Sequence, residues 1–329
     1  MSARQPAEWM PHAATWTAWP SHPELWESDL EPARDQVAAL VRAITDEGKG
    51  ERVELLCANA DAEVSARAAV GSGNVGFHRV AFGDIWLRDT GPIFLTSANG
   101  QAAAGFRFNG WGGKYVLEGD DRVAPQVAAW AGIPLARHDW VLEGGAIDVD
   151  GTGLVVTTEQ CLLNPNRNRG ITLQEAEHKL RNDLGLERVL WLGDGLANDH
   201  TDGHVDNLAR FVAEGVLALP EASDRDDPNR DVFLDARERA REARVEVVTI
   251  PSPGRIENDE GEVVPASYMN FYISNTSVIV PTYGSRHDEA AVEAIGKLFP
   301  GRRAIGLPAG YILTGGGSFH CITQQQPAA

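Results

Sequence analysis

The chain has 329 residues, 43% of them hydrophobic, enough to bury a large core in one big domain or two. Its formal net charge of −18, from 47 acidic against 29 basic side chains, argues against the basic footprint that nucleic-acid binding needs; it suits solubility, and equally the steering of a small cation. Three scattered cysteines without a CxxC pair exclude a disulfide framework, and no run reaches the ~18 apolar residues that span a bilayer.

Residues 1–16, MSARQPAEWMPHAATW, carry no apolar core of signal-peptide length, so a soluble protein of the reducing cytoplasm is expected. A helix is predicted over Leu30–Asp46 and a strand over Arg52–Cys57. Next comes Trp86-Leu87-Arg88-Asp89-Thr90-Gly91-Pro92. Gly-Pro should end a strand here and expose Asp89 at its tip, where a carboxylate accepts two parallel hydrogen bonds from a planar guanidinium. Alone, the motif reads more readily as an Arg88–Asp89 contact or an Asx-turn. Trp9, Trp16, Trp19, Trp26, Trp86 and Trp111 mostly read as core, with one or two free to wall a pocket for an alkyl cation; the loop Phe108–Gly113 fits that best.

A helix over Ala124–Ala131 precedes Leu142-Glu143-Gly144-Gly145, where one carboxylate sits between an apolar run and two glycines. Such a group could orient a histidine or stabilise its cationic form, although a surface Glu in a hairpin has the same pattern. A strand at Gly153–Thr157 leads to Cys161, a second thiol; the apolar residues after it favour a buried, inert role, and Asn166 and Arg167 could brace a site. Thr172 with Glu175 forms a capping-box pattern opening a helix to Leu184, and a strand follows at Val189–Trp191.

His200-Thr201-Asp202-Gly203-His204-Val205-Asp206-Asn207 is the densest chemical segment. Two histidines four apart would suit a metal on a helix, but Thr201, Gly203 and the aspartates disfavour a helix. A strand for the second half puts His204 and Asp206 on one face, an acid/base beside a carboxylate, with Asn207 and Arg210 in support. Strands at Val216–Leu219, Val245–Ile250 and Ser277–Val280, helices at Val232–Ala243 and His287–Leu298, and loops at Glu221–Arg230 and Glu257–Glu262 complete an α/β alternation. The last motif is Gly315-Gly316-Gly317-Ser318-Phe319-His320-Cys321. Glycines let the backbone approach a ligand closely, and a cysteine there is a candidate nucleophile, since a polarised site can hold a thiolate. The polar signatures at Trp86–Pro92, Glu143–Gly145, Gly203–Asn207, Asn270–Asn275 and Gly315–Cys321 recur every ~50–65 residues, a spacing that hints at one site segment per repeated unit.

Taken in order, PAEWMPHAATWTAWP, WLRDTGP, FNGWGGKY, EGGAIDVDG, TTEQCLLNPNRN, NDHTDGHVDN, ASYMNFYIS and GGGSFHCITQQQP resemble the agmatine deiminase family of guanidine-modifying enzymes over nearly the whole chain. The resemblance implies a five-bladed α/β-propeller (pentein) with pseudo-fivefold symmetry, forming one catalytic domain over residues 1–329. It implies hydrolysis of agmatine to N-carbamoylputrescine and ammonia, on the route to putrescine, without cofactor or metal. Cys321 would be the nucleophile, His204 the general acid and base, Glu143 the partner of His204, and Asp89 and Asp206 the guanidinium clamp. Backbone at Gly315, Gly316 and Gly317 would lie along the substrate, and Trp86, Asp199 and Asp202 are candidates for its amino tail. Ser318, Phe319 and Ile85 depart from the family pattern beside these residues and put tail specificity in question. Three other readings are a peptidylarginine deiminase of the related bacterial type, a non-catalytic guanidine-binding protein and, most distantly, a metal-dependent hydrolase. A homo-oligomer, dimer or tetramer, is compatible with the sequence.

Overall fold

The computed structural model describes residues 3–328 as five small sheets, and their connectivity repeats. The N-terminal unit runs β1 (His12–Ala18), α1 (Leu30–Thr45), β2 (Arg52–Cys57), α2 (Ala60–Val70) and β3 (Val75–Arg79). The second contains β4 (Ile93–Ser97), β5 (Gly100–Arg107), α3 (Val123–Ala131) and β6 (Leu135–Val141). The third contains β7 (Ile147–Val149), β8 (Leu154–Thr158), α4 (Leu173–Leu184) and β9 (Arg188–Leu192). In the fourth are β10 (Arg210–Ala213), β11 (Val216–Glu221), α5 (Arg230–Glu242) and β12 (Glu246–Pro251). The fifth has β13 (Tyr272–Ile273), β14 (Ser277–Thr282), α6 (Asp288–Leu298) and β15 (Arg303–Pro308), and β16 (Thr323–Pro327) ends the chain.

In units two to five the first two strands pair antiparallel, and a helix then carries the chain over to a parallel third strand. The N-terminal unit follows the same rule with a borrowed strand: β16 pairs antiparallel with β1, and β1 pairs parallel with β2. Tight reversals between paired strands use residues at positive φ, such as Gly100 at +114° and Gly215 at +68°, where a Cβ would be strained.

The helices form where apolar spacing and caps agree. In α4, Thr172 accepts from the Glu175 N–H while the Glu175 carboxylate accepts from the Thr172 N–H; Gly185, at φ +71°, ends the helix. Ala176, Leu180 and Leu184 make its buried stripe. Helix α1 buries Ala33, Val37, Leu40, Val41 and Ile44; burying a Val, Leu or Ile of this kind contributes about 1.5–3 kcal/mol. Among the described residues no helix is long and apolar enough to cross a membrane.

The helices predicted above, and the strands outside the two motifs around Asp89 and His204, are present within a few residues of their expected ends. Several elements carry no readable pattern. Helix α2 buries only Ala62 and Ala66, β13 is two residues long, and β6 presents Ala136, Arg137 and Asp139 to solvent. Their place is set by what they pair with, not by their own periodicity.

Candidate active site

The chemical residues sit in short turns that lead into the first strand of each unit. Asp89 lies in a one-turn helix, Leu87–Thr90, before β4. Glu143 precedes, and Gly145 lies within, the 3-10 turn Gly144–Ala146 before β7. His204 precedes, and Asp206 lies within, the 3-10 turn Val205–Asn207 ahead of β10; Asn270 ends a similar turn before β13; Cys321 precedes β16. The recurring signatures are therefore equivalent joints of successive units.

Two local expectations are corrected by this placement. Asp89 is not an exposed strand tip: Pro92 immediately precedes the next strand, and Asp89 is 7% exposed within its helical turn. His204 and Asp206 do not share a strand face either, because the chain turns between them. What brings them together is Gly145. A Cβ on Gly145 would lie 2.5 Å from His204 Nδ1, 3.0 Å from Asp89 Oδ1 and 3.1 Å from Asp206 Oδ2. Only the absence of a side chain lets these three groups converge.

Cys321 closes the group. Its thiol donates to Asp206 Oδ2 at 3.5 Å, and Asn270 Nδ2 donates to its sulfur at 3.1 Å. Asn270 Oδ1 accepts from the backbone N–H of both His320 and Cys321, so one amide side chain fixes the whole turn. A Cβ on Gly317 would meet Trp86 at 2.7 Å and the Cys321 sulfur at 3.1 Å. Cys321, Asp89, Trp86, Trp111, Asp84 and the three glycines Gly315–Gly317 line a cavity of about 250 Å³, with Tyr115 and His200 on its rim. That is at or below the lower end of pockets that take small molecules. A wider, open groove of about 630 Å³ along α6 has no cysteine or histidine among its lining residues.

The electrostatics are set by burial. Burial raises the Asp89 carboxyl above its ordinary value, against the pull of His204; the Trp111 indole and the Gly145 N–H hold its two oxygens, each at 2.9 Å. Burial pushes Asp206 the same way, but the hydrogen bond and charge of His320 outweigh it and hold Asp206 below the usual range. Burial, then the charges of Asp206 and Asp89, push the Cys321 thiol well up, so without a ligand it holds its proton. For His204 burial disfavours the cation, yet Asp89, with Nδ1 3.8 Å from its Oδ2, and then Cys161 and Glu143 raise it well above an ordinary histidine. Both His204 ring nitrogens are buried and, apart from the Cys161 thiol beside the ring, meet no hydrogen-bonding group, a costly arrangement.

Glu143 is 1% exposed, not a surface hairpin residue. Its Oε1 accepts from Arg167 Nε at 2.7 Å and its Oε2 has no partner. Side-chain atoms of Glu143, Cys161 and His204 lie within 4.8 Å of one another, a set that could hold a metal; the Arg167 guanidinium already on Glu143 opposes a further cation there. Cys161 is fully buried, and burial raises its thiol.

Of the three tail candidates only Trp86 lines the cavity. Asp202 is taken up by Lys114, Asn166 and Arg167, and Asp199 by Thr201. The second carboxylate in the cavity wall is Asp84, which no motif singled out. It accepts from the indoles of Trp26 at 3.0 Å and Trp86 at 2.8 Å, and burial raises its carboxyl. Its only signal in the sequence is its place two residues before Trp86.

Fold and site together define a protein that presents the Cys321 thiol and the Asp89 and Asp84 carboxylates to a small cavity, with His204 and Asp206 fully buried against Asp89 and Cys321. The signature of the Porphyromonas-type peptidyl-arginine deiminase family matches residues 4–327, and the chain belongs to that family. Within it, the chain is 38% identical to the agmatine deiminase of Pseudomonas aeruginosa (strain LESB58), over 99% of this chain and 95% of that one. The solved Enterococcus faecalis agmatine deiminase superposes with a TM-score of 0.91 at 31% identity, covering 99% of this chain and 96% of that one. A substrate-bound Cys-to-Ser variant of the C. jejuni agmatine deiminase gives 0.93 at 27% identity, covering 100% and 97%.

Proposed function

We propose that this protein is an agmatine deiminase that hydrolyses agmatine to N-carbamoylputrescine and ammonia through a thiouronium intermediate on Cys321. The observation that carries the reading is the convergence of His204, Asp89 and Asp206 around the missing side chain of Gly145, with the Cys321 thiol on Asp206. Asp89 and Asp206 pin a planar guanidinium and neutralise its charge. The incoming cation favours release of the thiol proton, and the Cys321 sulfur bonds to the guanidinium carbon. His204, held protonated by its acidic neighbours, gives a proton to the departing nitrogen, and ammonia leaves as the carbon–nitrogen bond breaks. His204 then takes a proton from water, whose oxygen adds to the thiouronium carbon. As the carbon–sulfur bond breaks, the remaining hydroxyl proton passes to the sulfur, the urea product departs and the resting thiol returns; the proton released from the thiol at the start leaves to solvent, where it accompanies the ammonia. Glu143, fixed by Arg167, contributes negative charge beside His204.

In this reading the whole chain, residues 1–329, is one catalytic domain. The five units close as a five-bladed α/β-propeller, with β16 completing the N-terminal blade beside β1. Trp86 walls the alkyl chain, and Asp84 takes the terminal amine in place of Asp199 and Asp202.

The family signature also names peptidyl-arginine as a substrate class. The cavity of about 250 Å³ beneath Trp86 and Trp111 favours a free small guanidine over a backbone-linked one. Ammonia release from agmatine, arginine and a benzoyl-arginine peptide decides between them: agmatine should be turned over far faster than either. Comparable release from the peptide selects the second activity. No release from any guanidine, with agmatine still bound, makes the protein a binder.

A further inference from the structure

Behind the clamp lies a buried charge array that no step above uses. His320 is 2% exposed and stands between two carboxylates: its Nδ1 is 2.7 Å from Asp206 Oδ2, and its Nε2 is 2.9 Å from Glu8 Oε2. A carboxylate oxygen can only accept, so an oxygen set against each ring nitrogen suits a ring that carries a proton on both. Glu8 is held below the ordinary carboxylate range against burial, through the charges of Arg210, His320 and Arg88.

Glu8 is itself over-determined. Its Oε1 accepts from the Ile273 N–H at 2.9 Å and faces Arg210 Nη2 at 2.9 Å; its Oε2 also accepts from Arg88 Nη2 at 3.3 Å. Arg210 goes on to pair with Asp148, and Arg88 Nη1 donates to Gln324 and Gln325. One N-terminal carboxylate thus ties together the elements that carry Asp89, Asp206 and Cys321. Three cations, Arg88, Arg210 and His320, meet three carboxylates, Glu8, Asp148 and Asp206, so the array is charge-balanced without any residue of the cavity wall.

Asp206 shows what this is for. Its Oδ2 takes His320 and the Cys321 thiol, while its Oδ1 is buried with no partner at all. We infer that Glu8 and His320 form a positioning relay that pins one oxygen of Asp206 from behind and keeps the other free for the substrate guanidinium. Neither residue touches substrate. The inference rests on the deiminase reading for its ligand, but its geometry stands independently.

Two measurements test it. In the folded wild-type protein, nitrogen NMR of ring-labelled histidine, sequentially assigned, should show both His320 nitrogens protonated at neutral pH; a neutral ring with one bare nitrogen overturns the relay, whether or not any variant folds. In steady-state kinetics, Glu8→Gln should lower kcat/KM for agmatine by about 10- to 100-fold, with KM carrying much of the loss. His320→Asn, whose amide can still donate to Asp206, should retain at least about tenfold more kcat/KM than the similarly sized, apolar His320→Phe. If His320 only fills space, Phe matches or exceeds Asn, and the relay is wrong. If wild type turns over no guanidine, the deiminase reading fails while the NMR result still decides the relay.

Discussion

Asp206 plays two opposed parts, so replacing it should separate thiol acidity from turnover. Its Oδ2 lies 3.5 Å from the Cys321 sulfur, and its charge is among the causes that hold the thiol protonated. Two unit charges about 4 Å apart interact by about 4 kcal/mol at an effective dielectric near 20. The His320 ring, 2.7 Å from the same oxygen, offsets much of that field. If about a third survives, roughly 1.4 kcal/mol, the thiolate fraction below its midpoint changes about tenfold. In ligand-free Asp206→Asn, Cys321 should therefore react with iodoacetamide about tenfold faster at neutral pH. Turnover should fall by about 10²- to 10³-fold, because the guanidinium loses half its clamp. The assay follows the pH dependence of alkylation by mass spectrometry of the Cys321 peptide, resolving it from the buried Cys57 and Cys161, alongside ammonia release. Unchanged or slower alkylation refutes the electrostatic argument. Faster alkylation with intact turnover refutes the clamp.

Three further outcomes follow from the same geometry. Gly145→Ala should fold, since its Cβ meets side chains and not backbone, yet lose about 10²-fold or more in kcat/KM as it displaces His204 and the two aspartates; thermal melting beside ammonia release checks this. Asp84→Asn should raise KM for agmatine by about tenfold or more, with little change for an alkylguanidine lacking the amine; equal effects on both would remove Asp84 from amine recognition. Asp120, 2% exposed, has its carboxyl raised by burial from 3.8 to about 6, although it accepts from the Gly83 and Asp84 N–H groups. A carboxyl raised in the folded state supports stability below its unfolded value near pH 4, and that support is lost as pH rises through about 6. The loss is about 3 kcal/mol. Denaturant melts at pH 5 and pH 8 should show the gap between Asp120→Asn and wild type shifting toward the variant at the higher pH.

The longer helices were legible because apolar spacing and caps are local. Thr172, Glu175 and the Ala176–Leu180–Leu184 stripe specify α4 without reference to the rest of the chain. The alternation of elements and the evenly spaced polar segments likewise pointed to repeated units, and those segments do occupy equivalent joints. Strands such as β13 and β6 were not legible, because pairing partners distant in the sequence decide them.

For the site, the residue types and their order were written in the chain: Asp89, Glu143, His204, Asp206 and Cys321 all stood out by their neighbours. Their relation was not. That Gly145 leaves the space where three of them meet, that Asp84 faces the cavity while Asp199 and Asp202 do not, and that Glu8 braces Asp206 through His320 are facts of tertiary structure. The physical reason is that motif spacing describes the path along the backbone. Protonation and recognition depend instead on distance and burial, which exist only once segments far apart in the chain pack against one another.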